Sequence, residues 1–384
     1  MQMDNRQYYL PAEWHNQVGV QLTWPHKNTD WAPYLEDIVT METEMAKQIA
    51  RREMLVIAAP EATAVRNYLQ TQLSEDEMSR VVVCSVETND TWARDHGAIT
   101  LLPFNSKVND DANEIATDKD ADNPFDATSN SQLALPLLLD FKFNGWGEKF
   151  ESAKDNMITR TLFDDGTFSQ LWNDGSLYHQ DNDDFVLEGG AIESDGKGTV
   201  FTTSFCLLAA HRNQPLSKLE IEEQLKLRLG CERVVWIDHG RLIGDDTDGH
   251  IDTIVRVCPN DTLVYVKCYD EADEQYADFC ELEKQLKALR TTDGKPYRLL
   301  PVPMPEAMFD EEDRLPATYA NFLIINDAVL VPTYGQPELD QQAVSAIAEA
   351  FPGRDVIGID ARVAVRQHGS LHCLTMQFPE INRE

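Results

Sequence analysis

The chain lacks any close pair of cysteines. Its seven, Cys84, Cys206, Cys231, Cys258, Cys268, Cys280 and Cys373, are scattered and odd in number. That pattern excludes a CxxC zinc ribbon and argues against a disulfide framework. Positive charge is scarce: 33 Lys and Arg face 66 Asp and Glu, a net charge of −33. Such a chain repels nucleic acid, whose binding depends on neutralising phosphates with Lys and Arg, and it favours cationic ligands. No apolar run approaches the ~18 residues of a membrane helix. The opening MQMDNRQYYLPAEW has no basic stretch followed by an apolar one, as a secretory leader would. The expectation is a cytoplasmic protein with neither nucleic acid nor membrane as partner.

Hydrophobic residues make up 42% and charged residues 26% of the 384, which is the balance of a globular chain with a sizeable core. Short β-branched runs bounded by Gly, Pro, Asn or Asp predict strands at 18–24, 53–59, 80–86, 233–238, 261–267, 321–326, 328–334 and 354–360. Phe279, Leu282, Leu286 and Leu289 step by three and four, as do Leu339, Ala343, Ile347 and Phe351 by four, which predicts two amphipathic helices. The turns DGKG, CPND and ND each join two strand-like runs and carry hairpin chemistry. A helix and a further strand follow each hairpin, so a ββαβ order recurs four or five times, without letter-level repetition. Residues 105–132 break that order: polar, acidic and poor in large apolar groups, they read as an inserted surface loop. They contain no DxDxDG run ending in glutamate, so calcium is not implied.

Four polar stretches fall at strand ends: NDTWARDHG (89–97), LEGGAIESDGKG (187–198), DDTDGHIDT (245–253) and HGSLHCLT (368–375). Together they supply carboxylates, histidines, a cysteine, and glycines that let backbone approach a ligand. Cys373 is the one cysteine flanked by such chemistry. Taken alone it also reads as a buried thiol. His250 and Asp252 share a face if GHIDT is extended, a pairing suited to proton transfer or to a structural hydrogen bond. Arg94 beside Asp95 reads as an ion pair that fixes the loop. His250, Asp252 and Glu188 offer a His-plus-carboxylate ligand set. No HxH or HExxH spacing accompanies them, and a site without metal or cofactor is the expectation.

In this combination and order, the stretches resemble the agmatine deiminase and bacterial (Porphyromonas-type) peptidylarginine deiminase family of the guanidine-modifying pentein superfamily. The resemblance runs nearly end to end, from LPAEWHNQVGVQLTWPHKNTDW (10–31) through NDTWARDHG, EGGAIESDGKGT, TTSFCLLAAHRN (202–213) and DGHIDT to GSLHCLT. It implies one catalytic domain over 1–384: an α/β fold, a five-bladed pseudo-symmetric propeller of ββαβ modules around a central site. It implies a hydrolase that converts a guanidinium to a ureido group with release of ammonia. Cys373 would be the nucleophile and His250 the acid and base. Asp95 and Asp252 would grip the guanidinium, Glu188 would partner substrate or histidine, and Trp92 would line the channel, where an indole face can hold a cation. The implied partner is a small cationic guanidine, agmatine first, and a homodimer is the family's assembly.

The chain departs from that pattern at three places. His368-Gly369-Ser370 stands where the family carries three glycines, Ala98 replaces a proline, and Glu193 replaces a histidine. These changes put the substrate's non-reacting end in question. Free arginine would require a cation such as Arg212, Arg256 or Arg366 for its carboxylate, and a peptidyl arginine an open cleft. A cysteine amidase using Cys373 and His250, or an acidic binding scaffold, remain readings from other classes. The first requires oxyanion donors in place of paired carboxylates. The second makes Cys373 dispensable.

Overall fold

The computed structural model describes residues 5–104, 135–172 and 175–381, so the acidic insert at 105–132 lies outside the described residues. Among these, five sheets of three or four strands share one connectivity, and a two-stranded hairpin stands apart. The clearest case is Ile192–Ser194, antiparallel to Thr199–Thr203, which is followed by helix Lys218–Leu229 and the parallel strand Arg233–Ile237. Val255–Cys258, Thr262–Lys267, helix Tyr276–Ala288 and Arg298–Pro303 repeat it. So do Leu323–Ile325, Ala328–Thr333, helix Pro337–Ala350 and Asp355–Asp360. Ile99–Pro103, Leu137–Lys142 and Tyr178–Val186 form a fourth sheet of the same pattern. The fifth joins the two ends of the chain: Thr375–Pro379 pairs antiparallel with Gln17–Thr23, which runs parallel to Met54–Ala59. Met54–Ala59 pairs in turn with Val81–Ser85.

The predicted elements form for the expected reasons. Phe279, Leu282 and Leu286 are buried on one helix face, as are Ala343 and Ile347 on the other. Asn260 and Asp261 in one hairpin turn and Asp327 in another adopt positive φ, a backbone that asparagine and aspartate tolerate better than most. Strands in the parallel halves read as continuous apolar runs because helices or neighbouring sheets cover both faces. Leu55, Val56, Ile57 and Ala58 are all buried, for example.

This connectivity explains how distant residues can meet. The segment that enters each sheet's leading strand is a short turn or single helical turn. Those entries carry Asp95 (helix Ala93–His96), Glu188 (before Gly189–Ala191), Asp252 (turn Ile251–Thr253), Asn321 and Cys373. One structural position, repeated five times, therefore delivers five polar side chains. No helix among the described residues is long and apolar enough to cross a membrane.

Candidate active site

Cys373, Asp95 and Trp92 line a narrow cleft together with Trp146, Phe150, Gly369, His368 and Thr247. Asp30, Asp90 and Asp246 complete its acidic lining, and no Lys or Arg among the described residues contributes to it. The other predicted residues, Asp252, His250 and Glu188, are fully buried and do not line the cleft. All six nevertheless converge. Cys373 Sγ lies 3.8 Å from Asp252 Oδ2, and His250 Nδ1 lies 3.6 Å from Asp95 Oδ1.

Gly190 explains the double glycine after Glu188. A Cβ at this position would stand 2.5 Å from His250 Nδ1, 2.9 Å from Asp95 Oδ1 and 3.1 Å from Asp252 Oδ2. Only a residue without a side chain can sit among those three groups. Its own N–H donates to Asp95 Oδ1 at 3.0 Å. The second donor to Asp95 is the Trp146 indole, at 2.9 Å to Oδ2. Trp146 reaches it through a run of left-handed backbone, φ 66°, 55°, 86° and 67° from Gly145 to Glu148. A non-glycine residue held at such φ is strained, and strain of this kind clusters at binding sites.

The electrostatics follow from burial. Burial, then the charge of Asp252, pushes the Asp95 carboxyl well above its ordinary range. Burial also raises Asp252, but the hydrogen bond and charge of His372 outweigh it and hold Asp252 below its usual value. The Cys373 thiol is driven well above its ordinary value by burial and by Asp252 and Asp95. Burial lowers His250 to about 3, and neither of its ring nitrogens has a hydrogen-bond partner among the described residues. Burial raises Glu188 against the opposing charge of Arg212, whose Nε lies 2.7 Å from Glu188 Oε1. The cleft suits a cation: Asp95 and Cys373 favour their protonated forms unless a positive charge lies beside them.

Several expectations are corrected. GHIDT is not extended: residues Ile251–Thr253 form a 3-10 turn. The histidine hydrogen-bonded to Asp252 is His372, 2.7 Å from Oδ2, rather than His250. Arg94 pairs with Glu13 at 3.1 Å. The ligand atoms that group with Glu188 and His250, all within 4.8 Å, include Cys206 and not Asp252. That group already holds the Arg212 guanidinium, which disfavours a second cation. Glu193 faces Arg256 and the Val257 N–H, away from the cleft, and Ala98 belongs to a hydrophobic cluster. Of the three departures from the family pattern, only the first touches the cleft, where Gly369 packs so closely on Trp92 that a Cβ would stand 2.2 Å from its ring. Trp92 is both core and wall: its ring tilts against Trp31 at 5.6 Å while lining the cleft.

Sequence reasoning missed Glu13, Trp146, Asn321 and His372. Asn321 Oδ1 accepts from the backbone N–H of both His372 (3.1 Å) and Cys373 (3.2 Å), which fixes the turn that carries Cys373. Its place just before a strand, matching that of Asp95 and Asp252, was the available signal. None of the three arginines considered for a substrate carboxylate faces the cleft freely. Arg212 is paired with Glu188 and Asp248, and Arg256 with Glu13 and Glu193. Arg366 lies over Tyr34 and pairs with Asp310.

Fold and site together define a hydrolase acting on the C–N bonds of amidines. A family model described as Porphyromonas-type peptidyl-arginine deiminase matches residues 9–379, and the chain belongs to that family. A relative from Marinomonas sp. named "Putative agmatine deiminase" is 30% identical over 97% of this chain and 95% of its own. Among solved structures, the "Putative Arginine Deiminase" of Porphyromonas gingivalis is 46% identical, with TM-score 0.83 over 97% of this chain and 98% of that one. A substrate-bound agmatine deiminase from C. jejuni is 33% identical, with TM-score 0.80 over 98% and 97%.

Proposed function

We propose that the chain is an agmatine deiminase, a single catalytic domain whose five ββαβ sheets close as the blades of an α/β propeller around the cleft. It would hydrolyse the guanidinium of agmatine to N-carbamoylputrescine and ammonia. The observation that carries this reading is a nucleophile-bearing cleft with paired carboxylates at Cys373 and acidic groups only, Asp30, Asp90 and Asp246, among its other charged lining. A dication with a guanidinium at one end and an ammonium at the other matches that distribution. Free arginine fits less well, because its carboxylate would find no Lys or Arg along the described lining. A peptidyl or free arginine substrate remains the second reading, favoured by the name of the 46% identical Porphyromonas gingivalis protein.

A guanidinium is planar and resonance-stabilised, so its central carbon is a weak electrophile. Asp95 and Asp252 accept its N–H groups and hold the carbon beside Cys373. The arriving charge lowers the thiol and carboxyl pKa values that the empty site holds high. Cys373 passes its proton to His250 and adds to the central carbon. His250 returns the proton to the departing nitrogen, ammonia leaves, and an amidino–cysteine remains. Water then adds with His250 as base, the thiolate is expelled, and the ureido product departs. The net reaction is guanidinium plus water giving urea derivative plus ammonium. Glu188, paired with Arg212, packs beside His250.

The test is ammonia release from agmatine, free arginine and a blocked arginyl peptide, with Cys373→Ala alongside. Turnover of agmatine alone, lost in the variant, supports the proposal. Turnover of another guanidine changes the substrate, and turnover that survives in the variant overturns the mechanism.

A further inference from the structure

His372, one residue before the nucleophile, is fully buried and is absent from the cleft lining. Its Nδ1 lies 2.7 Å from Asp252 Oδ2, and its Nε2 lies 2.9 and 3.0 Å from the two oxygens of Glu13. We propose that His372 is a positioning residue for the reaction: held from behind by Glu13, it aims the Asp252 carboxylate at Cys373 and the guanidinium without touching either reacting group. The inference rests on the deiminase reading for its kinetic consequence, and on geometry alone for the relay itself.

Two observations support it. First, the oxygen that His372 holds, Oδ2, is the one 3.8 Å from Cys373 Sγ, so the histidine fixes the clamp oxygen nearest the nucleophile. Second, both ring nitrogens face carboxylate oxygens. A lone pair on either nitrogen would oppose an oxygen lone pair, whereas two N–H groups make charge-assisted hydrogen bonds. Burial works to raise Glu13, yet His372, Arg94 and Arg256 hold it well below the ordinary carboxylate range. Asp252 is held low in the same way. Burial, then the charges of Arg256 and Arg94, pulls the His372 pKa down, while Glu13 and the Asp252 hydrogen bond pull it up. The contact geometry, a carboxylate oxygen at each ring nitrogen, is what favours two N–H groups. His250 and Asp95 face Asp252 from the cleft side.

The relay also accounts for the unequal carboxylates. Asp252 has a cation at its back and Asp95 has only neutral donors, the Trp146 indole and the Gly190 amide. The pair can therefore hold its proton on Asp95.

The experiment is ¹⁵N NMR of ring-labelled protein at pH 7–8, wild type against Glu13→Gln, with His372→Gln to assign the signal. Kinetics of ammonia release across pH run alongside. The expected result is a doubly protonated His372 ring in the wild type that is lost in Glu13→Gln. The variant's kcat/KM should fall roughly 10–100-fold, the scale for residues that orient a ligand from behind. Its acid limb should move up by about one pH unit, because Asp252 loses its cation. A purely structural lesion would lower the rate equally at all pH values. A neutral His372 in the wild type, or a variant with unchanged ring signal and unchanged acid limb, overturns the proposal. If Glu13→Gln does not fold, the wild-type spectrum decides. If the wild type releases ammonia from no guanidine, the functional reading fails while the spectrum still tests the relay.

Discussion

Sγ of Cys373 stands 3.8 Å from Oδ2 of Asp252, so the thiol that must become an anion lies beside one. In the proposed mechanism, the carboxylate that would grip a cationic substrate also suppresses the thiolate when no substrate is present. Alkylation of Cys373 by iodoacetamide should therefore set in at a pH well above that of an ordinary thiol in the free enzyme. A saturating alkylguanidinium too short to block the thiol should move that pH down. A free enzyme already fully reactive at pH 7 would contradict this coupling.

Gly190→Ala should fold, because this glycine does not have positive φ, yet its new Cβ would press on His250, Asp95 and Asp252. Ammonia release should fall at least ~10²-fold, the effect of displacing reacting groups by about 1 Å. The melting temperature should fall modestly, because the three buried groups must give way. Activity near wild type would show that the three groups are not the working set.

Asp95→Asn separates function from stability. Burial raises the Asp95 pKa above its unfolded value. The stability tied to its protonated form is present at low pH and is lost as pH rises through the folded-state value. The amide cannot ionise, so the variant should lose activity and melt higher than wild type at pH 8, with the gap closing toward pH 5. Melting curves across that range check the sign.

Asp90 is held up to about 6, by burial and then by the charge of Asp30. If the acidic lining reads the substrate's distant ammonium, Asp90→Asn should raise KM for agmatine about 5–30-fold, a loss of ~1–2 kcal/mol. KM for a butylguanidinium, which lacks the amine, should hardly move. Equal changes for both would remove the second-charge argument for agmatine.

Arg212 and Glu188 are both fully buried, 2.7 Å apart. Arg212→Met leaves an uncompensated carboxylate and should destabilise the fold by roughly 3–5 kcal/mol. Urea denaturation at pH 7 checks it, and a change under 1 kcal/mol would mean that Glu188 already holds a proton.

Much of this was legible in the chain. Strand cores and hairpins follow from short β-branched runs and Asn/Asp turns, and the observed ends fall within a residue or two, as with Val81–Ser85 against 80–86. Cys373, Asp95 and His250 stood in polar stretches at strand ends, where chemistry is expected. Pairings over long separations were not legible. Glu13 and His372 are 359 positions apart, and no local pattern announces that they touch. His250 looked like the partner of Asp252 because alternate residues share a face in a strand, and the 3-10 turn removes that premise. Trp146 escaped notice because its role depends on a left-handed backbone run that propensity does not foresee.

In the proposed mechanism, Cys373 carries the amidino group between two half-reactions. Rapid-quench mass spectrometry of intact protein mixed with agmatine measures it directly. The account predicts a transient adduct of one amidino group, located on Cys373 by peptide mapping and absent in Cys373→Ser. Ammonia release with no adduct at any quench time, and undiminished in Cys373→Ser, would contradict it.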